Sequence, residues 1–143
     1  MTSYVVDANV AAKWFLPAGE LLIDEALHLR NGFAEGRIRL SVPDLFWTEL
    51  GNIVWKAVRG GRMSPEAATK AIRTLSELNI PTFSTQPLLA HAFSIAATFG
   101  RTVYDSMYVA LAVVSQQSLV TADERLANSL AAHLPVRWLG SIP

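Results

Sequence analysis

The sequence predicts an α/β fold, in which a central parallel β-sheet is flanked by helices on both faces, as a single domain over residues 1–143. Short β-branched and aromatic runs recur along the chain, and between them apolar residues repeat at helical spacing. Strands that alternate with helices in this way are typical of a parallel sheet covered on both faces. The length of 143 residues suits one hydrophobic core.

The first half of the chain predicts two strands and two helices. A buried strand is expected over residues 3–6, and Asp7 ends it. A helix over residues 9–16 follows, which Pro17 and Gly19 break. Apolar residues at helical spacing predict the next helix over residues 21–34, and residues 37–42 alternate as a second strand.

The next segment predicts a helical hairpin inserted into the α/β plan between residues 43 and 79. Pro43 and Asp44 suit a helix start, and Gly60 suits its end. Ser64 is a good N-cap for the second helix, which Pro81 stops. The remaining elements are expected as strands over residues 82–84, 118–121 and 136–139, with helices over residues 87–99, 104–115 and 123–131.

Composition indicates a globular chain that does not bind nucleic acid through its overall charge. Hydrophobic residues make up 51% and charged residues 17%, and the formal net charge is zero. Any nucleic-acid contact must therefore use a local basic patch. The chain lacks cysteine, which excludes disulfides and thiolate metal sites. We expect a cytoplasmic protein with no membrane partner, because neither a signal-peptide pattern nor an apolar run of roughly 20 residues is present.

Four acidic residues stand in apolar sequence, where an ionised side chain is costly unless it is paired or holds a metal. They are Asp7 in YVVDANV, Glu49 in PDLFWTELGNIVW, Asp105 in TVYDSMYVALAVV and Asp123 in SLVTADERLA. Asp7 and Asp123 each follow a predicted strand, so both are expected at the sheet edge where sites form. Four carboxylates that converge there would repel each other and would need a cation.

Carboxylate oxygens are hard ligands that favour Mg²⁺, with Mn²⁺ as an alternative, over zinc. Such ions support in-line phosphoryl displacement by water. Three small polar residues near the acids, Asn9, Thr121 and Ser106, could orient a carboxylate or a metal-bound water. A simpler interpretation is that Asp7, Asp105 and Asp123 are helix N-caps and that Glu49 lies on an exposed helix face.

The four acidic segments, in this order and at these spacings, resemble the PIN domain, and within it the VapC-type toxins of toxin–antitoxin pairs. The resemblance covers essentially the whole chain. It implies a Mg²⁺-dependent endoribonuclease that cuts RNA to leave a 5′-phosphate and a 3′-hydroxyl. It also implies a homodimer, an antitoxin of the VapB type as partner, and no nucleotide cofactor.

The resemblance also implies roles for the acidic residues. Asp7 would be the central metal ligand, and Asp105 and Asp123 would complete the coordination directly or through water. Glu49 would ligate a metal or orient the attacking water. Asn9, and less directly Thr121 and Ser106, match the polar accessory positions of the family.

Other functions stay open from the sequence. One is a PIN nuclease in RNA processing or decay rather than a toxin, and another is a protein-binding module in which the carboxylates are incidental. A phosphotransferase with Asp7 as nucleophile would want a second acid two residues later, where this chain has Asn9.

Basic and aromatic residues near these segments suggest further contacts. Phosphate groups could be bound by Lys13, Lys56, Arg59, Arg62 and Arg101. Bases or a partner helix could be bound by an aromatic set that consists of Trp14, Phe15, Phe46, Trp47 and Trp55. For most of these residues a place on the solvated surface or in the core is the simpler interpretation.

Overall fold

The computed structural model describes residues 1–16 and 18–143, and its centre is a five-stranded parallel sheet. The strands are β1 (Thr2–Val6), β2 (Ile38–Pro43), β3 (Thr82–Phe83), β4 (Ser118–Thr121) and β5 (Val136–Trp138). The α-helices in the described ranges are α1 (Ala8–Ala11), α2 (Ile23–Ala34), α3 (Leu45–Arg59), α4 (Pro65–Glu77), α5 (Leu89–Phe99), α6 (Val103–Val114) and α7 (Glu124–Leu130).

The strands are ordered β3-β2-β1-β4-β5, which places β1 at the centre of the sheet. β1 pairs in parallel with β2 on one side and with β4 on the other, and Val6 lies opposite Val120. The carboxyl ends of β1 and β4 therefore meet at the same edge. The residues that follow these two strands are brought side by side although more than 110 positions separate them.

Helices cover both faces of the sheet, as the sequence predicts. Consecutive residues Tyr4, Val5 and Val6 of β1 are all buried, and so are Leu40, Ser41 and Val42 of β2. Because neighbouring residues of a strand point to opposite faces, such runs require cover on both sides. Helix α6 packs against β1, β2 and β4, while α2 packs against β2 and α7 against β4 and β5.

Most predicted boundaries agree with the observed ones to within one or two residues. Ser64 is the N-cap of α4, where its Oγ accepts a hydrogen bond from the Ala67 N–H at 3.1 Å. The helices α3 and α4 pack on each other between β2 and β3, as expected for the inserted pair. Among the described residues, no helix has the length and apolar character that crossing a membrane requires.

The helix predicted over residues 9–16 is shorter than expected. Helix α1 ends at Ala11 and gives way to a 3₁₀ turn over Ala12–Trp14. The tighter turn accompanies a tertiary contact, because the buried Trp14 indole donates a hydrogen bond to the Ala26 carbonyl of α2 at 2.8 Å. The prediction that Pro17 breaks this helix falls outside the described residues.

Two glycines in helix interiors give a matched test of packing between α2 and the sheet. A Cβ at Gly32 would lie 2.5 Å from Ile38 Cδ1 and 2.8 Å from its Cγ1, whereas a Cβ at Gly51 meets no atom within 4 Å. We expect Gly32→Ala to destabilise the fold by about 1–3 kcal/mol through overpacking. Gly51→Ala should stabilise it by about 0.5–1 kcal/mol through helix propensity. Urea unfolding of both variants checks this, and equal gains in stability would contradict the α2–β2 packing described.

Candidate active site

Asp7 and Asp123 lie at the carboxyl ends of the two central strands. The Asp7 N–H donates to the Val120 carbonyl at 3.1 Å, which extends the β1–β4 pairing by one residue. This places the Asp7 side chain beside Thr121, which is the last residue of β4 and precedes Asp123 by two positions. The strand pairing alone therefore joins the first and last acidic residues of the set.

Thr121 is the centre of a hydrogen-bond network that fixes this corner. Its Oγ1 donates to Asp7 Oδ2 at 3.0 Å and accepts from Asn9 Nδ2 at 3.2 Å and from the Asp123 N–H at 3.1 Å. A hydroxyl has one donor and two acceptor positions, so all three are used. The Asn9 Oδ1 in turn accepts from the Ala122 N–H at 3.0 Å. The structure thus brings the predicted accessory residues Asn9 and Thr121 into contact with the acidic residues.

Two of the acidic residues are also helix caps, so the simpler interpretation is correct for them as far as it goes. Asp7 Oδ1 accepts from the Asn9 N–H at 3.5 Å at the start of α1, and Asp123 Oδ1 accepts from the Leu126 N–H at 3.0 Å at the start of α7. Each carboxylate has a second oxygen that the cap does not use. Capping therefore orients these side chains and leaves one carboxylate oxygen of each outside the cap.

Asp105 is in the first turn of α6 but is not its cap. That position belongs to Thr102, whose Oγ1 accepts from the Asp105 N–H at 3.0 Å. The Asp105 carboxylate lies 3.4 Å from Arg101 Nη2, measured to Oδ2. The same Nη2 is 4.0 Å from Asp123 Oδ2, so Arg101 connects Asp105 to Asp123.

Glu49 reaches the site because α3 packs against α1, the helix that directly follows Asp7. Its Oε1 accepts a hydrogen bond from the Tyr108 hydroxyl at 2.6 Å. Tyr108 is 2% exposed and lies three residues after Asp105, so both project from one side of α6. Sequence reasoning missed Tyr108. Its signal was the spacing from Asp105 together with a buried phenol, which needs a partner for its hydroxyl.

Ser106, the third predicted accessory residue, is fully buried in α6. Its Oγ has no hydrogen-bond partner within residues 1–16 and 18–143. The structure therefore does not connect Ser106 to the carboxylates, and its role stays a prediction.

Three of the carboxylates, those of Asp7, Glu49 and Asp105, interact electrostatically. Burial raises the pKa of Asp7 to about 7, against the lowering effect of the Thr121 hydrogen bond, and the negative charges of Glu49 and Asp105 raise it further. The pKa of Glu49 is also raised, first by burial and then by Asp105, although the Tyr108 hydrogen bond opposes this. Burial, followed by the charges of Asp7 and Glu49, raises the pKa of Tyr108. The buried carboxyl groups of Asp7 and Glu49 therefore bind a proton more tightly than ordinary carboxyl groups do.

The donor chemistry fits a hard divalent cation. All candidate ligands are carboxylate oxygens, and a cation would offset the burial and, to a smaller extent, the neighbouring negative charges that raise the pKa of Asp7. In the part of the chain that the structure describes, no three acidic or histidine side chains are already gathered closely enough to hold one ion. The described residues therefore supply suitable carboxylate ligands, but three of these carboxylates do not yet lie close enough together to bind one ion.

One predicted phosphate contact is wrong. Lys13 is 7% exposed, and its Nζ donates to Glu20 Oε2 at 2.9 Å and to the Leu21 carbonyl at 2.8 Å. It secures the segment before α2 rather than binding a ligand. Lys56, Arg59 and Arg62 are exposed at the C-terminal end of α3 and just beyond it.

The aromatic set does not form one surface. Phe46 is fully buried and Trp14 is 8% exposed, so both belong to the core. Trp55 is exposed, and the Arg59 guanidinium carbon lies 5.2 Å from its ring centroid. Trp14 and the half-buried Phe15 line an apolar groove of about 410 Å³ between α2 and α4. This groove shares no residue with the acidic cluster.

Comparison with known proteins identifies a family and solved structures that share this architecture. The PIN domain family model matches residues 4–129. A relative from Pyrobaculum aerophilum named Ribonuclease VapC3 is 31% identical over 130 residues, which cover 90% of this chain and 95% of that protein.

Solved structures share the fold at lower identity. The crystal structure of PAE2754 from Pyrobaculum aerophilum superposes with a TM-score of 0.71 and 24% identity, over 98% of this chain and 85% of that one. A toxin–antitoxin complex from Klebsiella pneumoniae superposes with a TM-score of 0.64 and 15% identity, over 97% of this chain and 99% of that one. Because the PIN domain family model matches most of this chain, the chain belongs to the PIN domain family.

Proposed function

We propose that the chain is a cytoplasmic, Mg²⁺-dependent endoribonuclease that acts as the toxin of a toxin–antitoxin pair. The observation that carries this proposal is the buried Asp7 carboxylate, whose pKa is raised beside Glu49 and Asp105 at the end of the central strand. The relative named as a ribonuclease, and the toxin–antitoxin complex of the same fold, support the proposed activity and role.

In this proposal Asp7, Asp105 and Asp123 hold the ion, with Mn²⁺ as a substitute for Mg²⁺. When bound, the ion supplies positive charge that stabilises the phosphoryl group during displacement. Thr121 and Asn9 keep Asp7 in one orientation through their hydrogen bonds. Glu49 either adds a ligand or accepts a proton from the attacking water.

The Glu49–Tyr108 hydrogen bond suits the second of these roles. Tyr108 occupies Oε1 at 2.6 Å, which leaves Oε2 to accept the proton as water oxygen bonds to phosphorus. The bond from phosphorus to the 3′-oxygen breaks, and that oxygen takes a proton from solvent, which leaves a 5′-phosphate and a 3′-hydroxyl. A raised pKa makes Glu49 a stronger base than an ordinary glutamate.

The groove between α2 and α4 is the surface that we assign to the antitoxin. Its floor is apolar, with Phe15, Met63 and Leu75 among the lining residues, and Arg30 and Lys70 add positive charge. This combination suits an amphipathic partner helix with acidic residues along its edge. RNA as substrate is part of the proposal, and the homodimer implied by the resemblance stays a prediction.

The direct test is to express the wild type and Asp7→Asn separately and to follow growth and new RNA 5′ ends. We expect the wild type to arrest growth with a discrete set of cuts. The variant should do neither, because catalysis falls by at least about 100-fold when a central ligand is lost. Asp44→Asn, an exposed acid at the start of α3, is the matched control and should behave as wild type. Equal toxicity of wild type and Asp7→Asn would favour a binding module, and harmless wild type would favour a PIN nuclease without a toxin role.

The raised pKa of Asp7 also predicts how stability depends on pH without metal. A carboxyl with a higher pKa in the folded state binds its proton more tightly when folded. Its contribution to stability is therefore full below pH ~4, the unfolded pKa, and is lost as the pH rises through about 7. At pH 8 in EDTA, Asp7→Asn should be more stable than wild type by about 1–4 kcal/mol.

Thermal melts between pH 5 and pH 8, with EDTA or Mn²⁺, measure this effect. Added Mn²⁺ should raise the wild-type melting temperature at pH 8 and raise that of Asp7→Asn much less. An Asp7→Asn protein that is less stable than wild type at pH 8 in EDTA would show that the carboxylate is well accommodated without an ion.

A matched pair on α4 tests the antitoxin surface. Thr74 is exposed and lines the α2–α4 groove, whereas Thr69 is exposed on α4 and lines a different depression, against α3. We expect Thr74→Arg to stay toxic when the cognate antitoxin is co-expressed, because the larger cationic side chain fills the groove. Thr69→Arg should be neutralised as wild type is. Full neutralisation of both variants would exclude the groove as the antitoxin site.

A further inference from the structure

Arg101 is a cation that lies inside the acidic cluster. Its Nη2 is 3.4 Å from Asp105 Oδ2 and 4.0 Å from Asp123 Oδ2, so one guanidinium faces carboxylates from two different elements. The side chain is only 26% exposed. Its Nε is buried and has no hydrogen-bond partner in the described parts of the chain.

The backbone around Arg101 explains why it points there. Gly100 ends α5 with a φ of +68°, a left-handed conformation that glycine adopts without strain. Thr102 is extended and caps α6. Arg101 is therefore held at the middle of the three-residue link between α5 and α6, four residues before Asp105 and facing the start of α7.

The contacts of Arg101 neutralise charge without fixing the side chain. Close charge-assisted hydrogen bonds are about 2.7–2.9 Å long, and both contacts here are longer. The unpaired Nε shows that the planar fork is not satisfied by a two-bond arrangement on either carboxylate. A guanidinium held this loosely can leave its partners when a stronger cation arrives.

We propose that Arg101 is an internal counter-cation that competes with the divalent ion for Asp105 and Asp123. The inference rests on the proposed function, in which these carboxylates hold that ion. In the metal-free protein, Arg101 reduces the repulsion among the acidic residues. In return it lowers the affinity for metal, because the ion must displace a permanent positive charge.

This arrangement agrees with the spacing of the carboxylates. Across the described residues no three of them are gathered around one point, and the guanidinium lies between Asp105 and Asp123. Loss of Arg101 from this gap would leave these two carboxylates free to close on an ion. Arg101 therefore sets the concentration of free divalent ion at which the site fills.

Calorimetric titration of the metal-free full chain with Mn²⁺ tests the proposal by binding rather than by activity. We expect Arg101→Gln to bind Mn²⁺ about tenfold more tightly than wild type at low ionic strength, and the difference should shrink as salt screens the charges. Arg101→Lys keeps the charge and should stay within about threefold of wild type. Arg125→Gln removes the same charge from an exposed position two residues after Asp123 and should change the affinity by less than about twofold.

A second readout is the melting temperature in EDTA at pH 8, which Arg101→Gln should lower and Mn²⁺ should restore. If Arg101→Gln does not fold, Arg101→Met keeps an unbranched stem and carries the same titration. Suppose that the wild type binds Mn²⁺ and that the neutral variants bind it with equal or weaker affinity. That result would overturn the role of Arg101 and leave the metal site intact. A wild type without saturable Mn²⁺ binding would overturn both this inference and the proposed metal dependence.

Discussion

The burial of the Asp7 carboxylate at the end of β1 is the constraint on which the rest of the site depends. Parallel pairing of β1 with β4 fixes Asp7 beside Thr121, where the side chain is 9% exposed. A carboxylate in this position must be hydrogen-bonded, protonated or matched by a cation. The hydrogen bonds from Thr121 and Asn9, the raised pKa of Asp7 and the nearby Arg101 each relate to that requirement.

The hydrogen bonds alone do not meet the requirement. A hydrogen bond to a charged group contributes about 1.5–3 kcal/mol, and Asp7 accepts one such bond from Thr121 and a longer one from Asn9. The pKa of Asp7 still rises to about 7, so burial and the nearby Glu49 and Asp105 charges outweigh these bonds. Arg101 offsets part of the excess charge on the Asp105 side. The remaining negative charge is what an ion would neutralise.

The sequence predicts the parts of this site that depend on local position. Asp7 and Asp123 follow buried strands, and residues after neighbouring parallel strands must meet at one edge, so their convergence with Asn9 and Thr121 is predictable. The partner of Glu49 is not predictable in this way. The Tyr108 contact depends on how α3 and α6 pack, across 59 positions of sequence, and periodicity does not specify it.

The surroundings of the charged residues are the least predictable from sequence. Lys13 follows a site element, as a phosphate contact would, yet its buried ammonium group is paired with Glu20, which lies in the irregular stretch before α2. The same sequence pattern predicts Arg101 as a phosphate contact, and its position between two carboxylates depends on the turn at Gly100. Similar sequence contexts thus lead to different surroundings, because the short connections before α2 and α6 determine which groups these side chains contact.

The most direct test of the account is the location of Mn²⁺ in crystals of the protein, measured by anomalous scattering at pH 8. The account predicts an anomalous peak in contact with Asp7 and with Asp105 or Asp123, together with an Arg101 side chain that has moved away from its carboxylate partners. Well-ordered crystals with saturating Mn²⁺, no peak at this edge and Arg101 still between Asp105 and Asp123 would contradict it.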